Sequence, residues 1–172
     1  MKLVLVGYMG SGKSTIGKIL AQELNAQFYD LDTKIEETVG MSISEIFKKK
    51  GELFFRKTET KVLDKLLDYN SSFILAVGGG TPCYGTNMKI IKEKATASFY
   101  LKLNIPSLLN RITKEKQHRP LIASIKDEDL PEFIGKHLFE RSSFYSQATH
   151  TITCDDLFIE DVVKEIKSHY SK

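Results

Sequence analysis

Cysteine is nearly missing from this chain: Cys83 and Cys154 are the only two in 172 residues, far apart and outside any Cys-x-x-Cys pattern. That excludes a disulfide framework and a cysteine-based zinc site, and both are read as reduced thiols. The four histidines, His118, His137, His150 and His169, lack metal-ligand spacing, so surface or core packing is their expected role. Any metal chemistry should then rest on magnesium and oxygen ligands. Long apolar runs are missing too, with no tract of about 18 residues to cross a bilayer. The N-terminus shows no basic segment followed by an apolar one and a cleavage site. A cytoplasmic protein with no membrane partner is the expectation. Charge of one sign is also scarce: 25 Lys and Arg against 22 Asp and Glu leave a net +3. The lysines are interleaved with acids and apolar residues, which is no nucleic-acid footprint. There is no repeat period and no low-complexity linker. A chain of this length fits one domain, since about 100 to 200 residues usually make one unit, and a monomer is expected.

Against these absences stands a dense signal at the start. Residues Gly7-Tyr8-Met9-Gly10-Ser11-Gly12-Lys13-Ser14-Thr15 follow directly on the apolar run Leu3-Val4-Leu5-Val6 and precede an amphipathic stretch through Leu24. Strand, glycine-rich loop and helix occur in the order a phosphate-binding loop requires. The spacing Gly-x-x-x-x-Gly-Lys-Ser lets backbone amides and a helix N-terminus wrap a di- or triphosphate. Lys13 adds a full charge, and Ser14 places a hydroxyl where a magnesium ion on the outer phosphates needs a ligand.

Five segments read as strands: Lys2 to Val6, Gln27 to Asp30, Phe73 to Val77, Ser98 to Leu103 and Thr149 to Thr153. Helical patterns follow the loop and cover Asp32 to Val39, Ile43 to Lys50, Glu52 to Tyr69, Asn87 to Lys94, Pro106 to Thr113, Asp129 to Gln147 and Ile159 to His169. Ser42 with Glu45 three residues on forms a capping box. Lys48-Lys49-Lys50 close a helix, where cations complement its dipole. Strands such as Phe73-Ile74-Leu75-Ala76-Val77 are apolar throughout, as when helices cover both faces of a sheet. Alternating strand and helix predicts an α/β three-layer sandwich around a five-stranded parallel sheet. Ligands in such a sheet gather at the carboxyl ends of the strands.

That rule brings further residues to the loop. Asp30 and Asp32 end the second strand; one carboxylate can face a metal and its waters while the other faces an acceptor hydroxyl. Aspartate also caps helices, and Asp32 opens a helical pattern. Gly78-Gly79-Gly80 end the third strand and permit close backbone approach to a ligand, although a plain turn would use them too. Arg56 has Glu59 three residues on, which can hold the guanidinium for a two-bond grip on a carboxylate or form a plain surface pair. Arg119-Pro120-Leu121 lies in a polar stretch, Thr113 to Asp129, suited to closing over phosphates and excluding water. Arg141 is a second candidate anion contact or a surface charge.

Taken together, these segments resemble the shikimate kinases over nearly the whole chain. The resemblance rests on the loop at 7 to 15, Asp-x-Asp at 30 to 32, Gly-Glu-x-x-Phe-Arg-x-x-Glu at 51 to 59, the triplet at 78 to 80, Arg-Pro-Leu at 119 to 121 and Arg-x-x-x-Tyr at 141 to 145. It implies a P-loop, nucleoside-monophosphate-kinase-like fold in a single domain, 1–172, with a substrate-binding helical segment at about 32–60 and a lid at about 113–128. It implies transfer of the ATP γ-phosphate to the 3-hydroxyl of shikimate, with Mg2+. Gly10, Ser11, Gly12, Lys13, Ser14 and Thr15 would hold the nucleotide, with Arg111 against adenine. Ser14 and, through water, Asp30 would serve the metal. Asp32 would orient the acceptor hydroxyl and take its proton. Arg56 and Arg141 would grip the carboxylate, Gly78, Gly79 and Gly80 would contact ring hydroxyls, and Arg119 would close with the lid. Two places depart from the family pattern: Thr81-Pro82 follow the triplet in place of a small and an aliphatic residue, and Asp155-Asp156-Leu157 offer no arginine or glutamine to adenine. A gluconate-kinase-like enzyme and a non-catalytic nucleotide-binding switch are the alternatives.

Overall fold

A computed structural model describes residues 1–115 and 120–170. Strands β1 (Lys2–Val6), β2 (Gln27–Asp30), β3 (Phe73–Ala76), β4 (Ala97–Lys102) and β5 (His150–Thr153) form one sheet in the order β2-β3-β1-β4-β5. Every pairing is parallel. β3 is buried along its whole length, and Leu3 to Val6 of β1 are fully buried. Continuous apolar runs are what a central strand covered on both faces needs.

The helices are α1 (Lys13–Glu23), α2 (Leu31–Val39), α3 (Ile43–Leu67), α4 (Asn87–Lys94), α5 (Ile105–Glu115), α6 (Pro120–Ala123), α7 (Leu130–Tyr145) and α8 (Ile159–Tyr170), with a 3-10 turn at Thr81–Cys83. α1 carries the chain from β1 past β3 to β2, whereas α4 carries it from β3 past β1 to β4. Right-handed crossovers in opposite directions leave on opposite faces of the sheet. A crevice therefore opens between β1 and β3, where ligands of such sheets bind. The register sets what meets there: Leu5 is opposite Ala76, and Asp30 is opposite Ala76 from the other side. The loop after β1, the triplet after β3 and the aspartates after β2 thus share one edge.

The two helical pieces expected over 43 to 69 lie within α3, broken where expected by the non-helical Gly51, with φ 79° and ψ 170°. Its start carries the expected capping box, with Glu45 N donating to Ser42 Oγ at 3.3 Å and Ser42 N donating to Glu45 Oε2 at 3.2 Å. Within the polar stretch 113–128 lies a helical turn, α6, that sequence periodicity did not indicate. Four residues are too few to show a period.

Candidate active site

The loop between β1 and α1 is shaped by glycines at positive φ, 78° at Gly10 and 93° at Gly12. A side chain at Gly10 would also collide with Ile112, whose Cγ1 lies 2.8 Å from the Cβ position. The strand feeding the loop and the helix leaving it both pack into the core through Val6, Ile16 and Leu20, so the amide cradle is held from either end. Lys13 Nζ donates to the carbonyls of Gly7 at 2.8 Å and Tyr8 at 2.9 Å, lying across the loop. Ser11 is buried beneath it.

Ser14 Oγ donates to Asp30 Oδ2 at 3.0 Å. The other oxygen of Asp30 accepts from Asp32 N at 3.1 Å, so Asp30, not Asp32, is the N-cap of α2. The capping alternative raised for Asp32 falls to its neighbour, because the helix starts one residue earlier, at Leu31. Relieved of that duty, the Asp32 carboxyl faces the crevice: its Oδ1 lies 3.4 Å from where a Gly78 Cβ would stand. Burial, then the charges of Asp30 and Glu59, push the Asp32 carboxyl up to about 6, with Lys13 pulling the other way.

These groups line a cavity of about 650 Å³ bounded by Gly10, Gly12, Lys13, Ser14, Thr15, Asp30, Asp32, Gly78, Gly79 and Arg111. Met9, Lys114 and Ile159 line it as well. Sequence reasoning did not select these three. Lys114 was readable as the residue one turn beyond Arg111 on α5, but Ile159 comes from the start of α8, and only the fold brings it there. Asp155 has a structural partner: its Oδ1 accepts from Asn104 N at 2.8 Å, tying the end of β5 to the approach of α5.

Arg56 meets the far side of the triplet. A Cβ on Gly80 would lie 3.2 Å from both Nη atoms, and the ring of Tyr84 is 5.6 Å away. Its Nη1 donates to Glu59 Oε2 at 3.1 Å, and Glu59 is only 1% exposed. The plain surface pair considered for Arg56 is therefore replaced by a buried, oriented one. Removing one partner of such a pair typically costs about 3 to 5 kcal/mol.

Arg141, half-buried on α7, stands over the Tyr8 ring at 5.7 Å. Tyr8 is buried, its hydroxyl within 3.2 Å of His137 Nδ1, and burial pushes its pKa up to about 12. Tyr145, one turn beyond Arg141, donates its hydroxyl to the carbonyl of Gly79. Both guanidinium groups, of Arg141 and Arg56, act electrostatically on Cys83, whose thiol is nevertheless pushed up by burial. Of the proposed site residues, Ser11, Gly80, Arg56 and Arg141 are not among those lining the cavity: Ser11 is buried, Arg56 lies against Gly80, and Arg141 lies over Tyr8. Arg119 lies outside the described residues.

A cradle for phosphates facing an acceptor-side carboxylate, both on one edge of a parallel sheet, makes this a phosphate-loop kinase of the nucleoside-monophosphate-kinase type, acting on a small acceptor. The family model described as shikimate kinase matches residues 9–171. A shikimate kinase of Flavobacterium psychrophilum is 44% identical over 165 residues, 96% of each chain. The crystal structure of shikimate kinase from Bacteroides thetaiotaomicron superposes with a TM-score of 0.93 at 32% identity, covering 100% of this chain and 99% of that one. A shikimate kinase from Acinetobacter baumannii, solved in complex with shikimate, gives 0.87 at 32% identity over 98% of this chain and 92% of its own. The chain belongs to the shikimate kinase family.

Proposed function

We propose that this chain transfers the γ-phosphoryl group of ATP to the 3-hydroxyl of shikimate, giving shikimate 3-phosphate and ADP on the route to chorismate and the aromatic amino acids. In this reading it works as a monomer in the cytoplasm; no helix among the described residues is long and apolar enough to cross a membrane. One observation carries the reading: the Asp32 carboxyl, half-buried and pushed up to about 6, shares a cavity with Lys13 and Ser14 and lies against the triplet that Arg56 touches from its other side.

The chemistry needs little beyond placement. Phosphoryl transfer passes through a loose transition state, catalysed chiefly by alignment and charge stabilisation. Asp32 accepts the proton of the acceptor hydroxyl, and a carboxylate drawn toward neutral pH is a better base for it than an ordinary one. Lys13 and the amides of Gly10, Ser11, Gly12, Ser14 and Thr15 take the charge of the phosphates. Arg56 and Arg141 grip the acceptor carboxylate, the backbone of Gly78, Gly79 and Gly80 meets its ring hydroxyls, and Arg111 with Ile159 flanks adenine. Arg119, in the connection at 113–128, would add positive charge at the transferring group.

The residues fit magnesium. Ser14 Oγ and Asp30 Oδ2 are 3.0 Å apart beside the cradle, and hard oxygen donors of this kind suit a small divalent cation. When bound, the ion would neutralise charge on the outer phosphates.

Coupled measurement of ADP release with shikimate, with gluconate and with no acceptor tests the reading. Turnover that depends on shikimate alone is expected. Turnover with gluconate in its place, or ADP release indifferent to any acceptor, would overturn it.

A further inference from the structure

Thr81 is the first residue after the triplet and one of the two places where the chain departs from the family pattern. It is fully buried. Its hydroxyl donates to Glu59 Oε1 at 2.6 Å, while Glu59 Oε2 accepts from Arg56 Nη1 at 3.1 Å. The two oxygens of one buried carboxylate are therefore divided, one to the threonine and one to the arginine. Thr81 is itself pinned: its carbonyl accepts from Asn87 Nδ2 at 2.9 Å, and Asn87 Oδ1 accepts from Thr60 Oγ1 at 2.7 Å. Asn87 is fully buried, and Thr60 stands one position beyond Glu59 on α3. The chain of bonds starts and ends on the same helix turn, passing through the triplet's continuation and α4.

We infer that Thr81 is a positioning residue for acceptor recognition: by occupying Oε1 of Glu59 it fixes the plane of that carboxylate, and so the direction in which the Arg56 fork points. The inference rests on the reading of Arg56 as a grip on the substrate carboxylate. A carboxylate held at only one oxygen can rotate about its last bond, and a guanidinium following it would lose the two parallel bonds on which bidentate recognition depends. A hydroxyl is needed at position 81; bulk alone does not supply it. An alanine or valine there would leave Oε1 buried without a donor.

Thr81→Val, nearly equal in volume, removes only the donor. Its KM for shikimate is expected to rise about tenfold, with kcat within about threefold and KM for ATP unchanged. Thr81→Ser should restore the wild-type KM. The decisive comparison uses methyl shikimate as a competitor, because an ester offers no anionic fork to Arg56. Its inhibition constant should be the same, within about twofold, for wild type and Thr81→Val. Equal weakening toward the acid and the ester would overturn the proposal in favour of general damage to the site, and an unchanged KM for shikimate would overturn it outright. Should Thr81→Val fail to fold, Thr81→Ala carries the same comparison. Failure of the wild type to turn over shikimate is a separate outcome, which overturns the functional reading and this proposal with it.

Discussion

Asp32 is held at a cost to the fold. An aspartate carboxyl moved from its ordinary 3.8 to about 6 by burial and by Asp30 and Glu59 is destabilising whenever it is ionised. Near pH 3 and below it is mostly protonated in both folded and unfolded chains and contributes almost no penalty. As pH rises from about 4 to 6 the unfolded chain releases the proton first, so stability falls, and above about 6 the full penalty of about 3 kcal/mol persists. Asp32→Asn should therefore melt higher than wild type at pH 7.5 in EDTA, and the difference should shrink through pH 4 and vanish near pH 3. Scanning calorimetry across that range checks it; a difference independent of pH would point to packing instead. The same residue separates binding from chemistry: Asp32→Ala should keep the ATP affinity of the wild type and lose turnover, whereas equal losses in both would contradict its role as acceptor base. That Asp30 and not Asp32 caps α2 was not readable from Asp-x-Asp, because one residue's shift in the helix start exchanges that duty.

At the scale of elements, the bend in α3 decides where Arg56 points. Gly51 adopts φ 79° and ψ 170° with open space around its Cβ position, so a side chain there meets no neighbour but forces a backbone conformation open essentially to glycine alone. Gly51→Ala is expected to destabilise by about 1 to 3 kcal/mol and to raise KM for shikimate more than KM for ATP, since the strain falls on the acceptor side. Chemical denaturation and steady-state kinetics measure the two effects. The glycine marked the break between two helical patterns in the sequence, but the angle between the two pieces depends on packing against α2 and α4. At the opposite end, the rings of His150 on β5 and His169 on α8 stack at 4.3 Å, and Phe99 stacks on His150. Burial and the neighbouring His169 hold the His150 pKa down. A histidine harder to protonate when folded loses stability as pH drops below the ordinary 6.5, because the unfolded chain takes up the proton first. Replacing His169 by Gln should lessen the fall in melting temperature between pH 7.5 and pH 5; an unchanged fall would dismiss the pair as its source.

For the whole molecule, one sheet and one connected core argue for one cooperative unit. Urea unfolding followed by circular dichroism and by tyrosine fluorescence, the chain having no tryptophan, should give coincident single transitions. Mg-ATP at 100 times its dissociation constant should add about 2.7 kcal/mol to stability, and the same nucleotide should add far less to Lys13→Ala. A second transition would separate a lid or helical segment from the body. Much of this architecture was legible in the chain itself, because apolar runs, glycine punctuation and helical periods are local properties: five strands, their helices, the phosphate loop and the triplet follow from neighbouring residues. Tertiary structure alone decided which of two aspartates caps a helix, that Glu59 is buried between Arg56 and Thr81, and that Ile159 reaches the cavity beside Lys13 and Arg111. The cap turns on where α2 begins on leaving the sheet, whereas Thr81 on Glu59 and Ile159 beside Lys13 join residues distant in sequence through the register of the sheet and the packing of its helices, which leave no period or spacing to read.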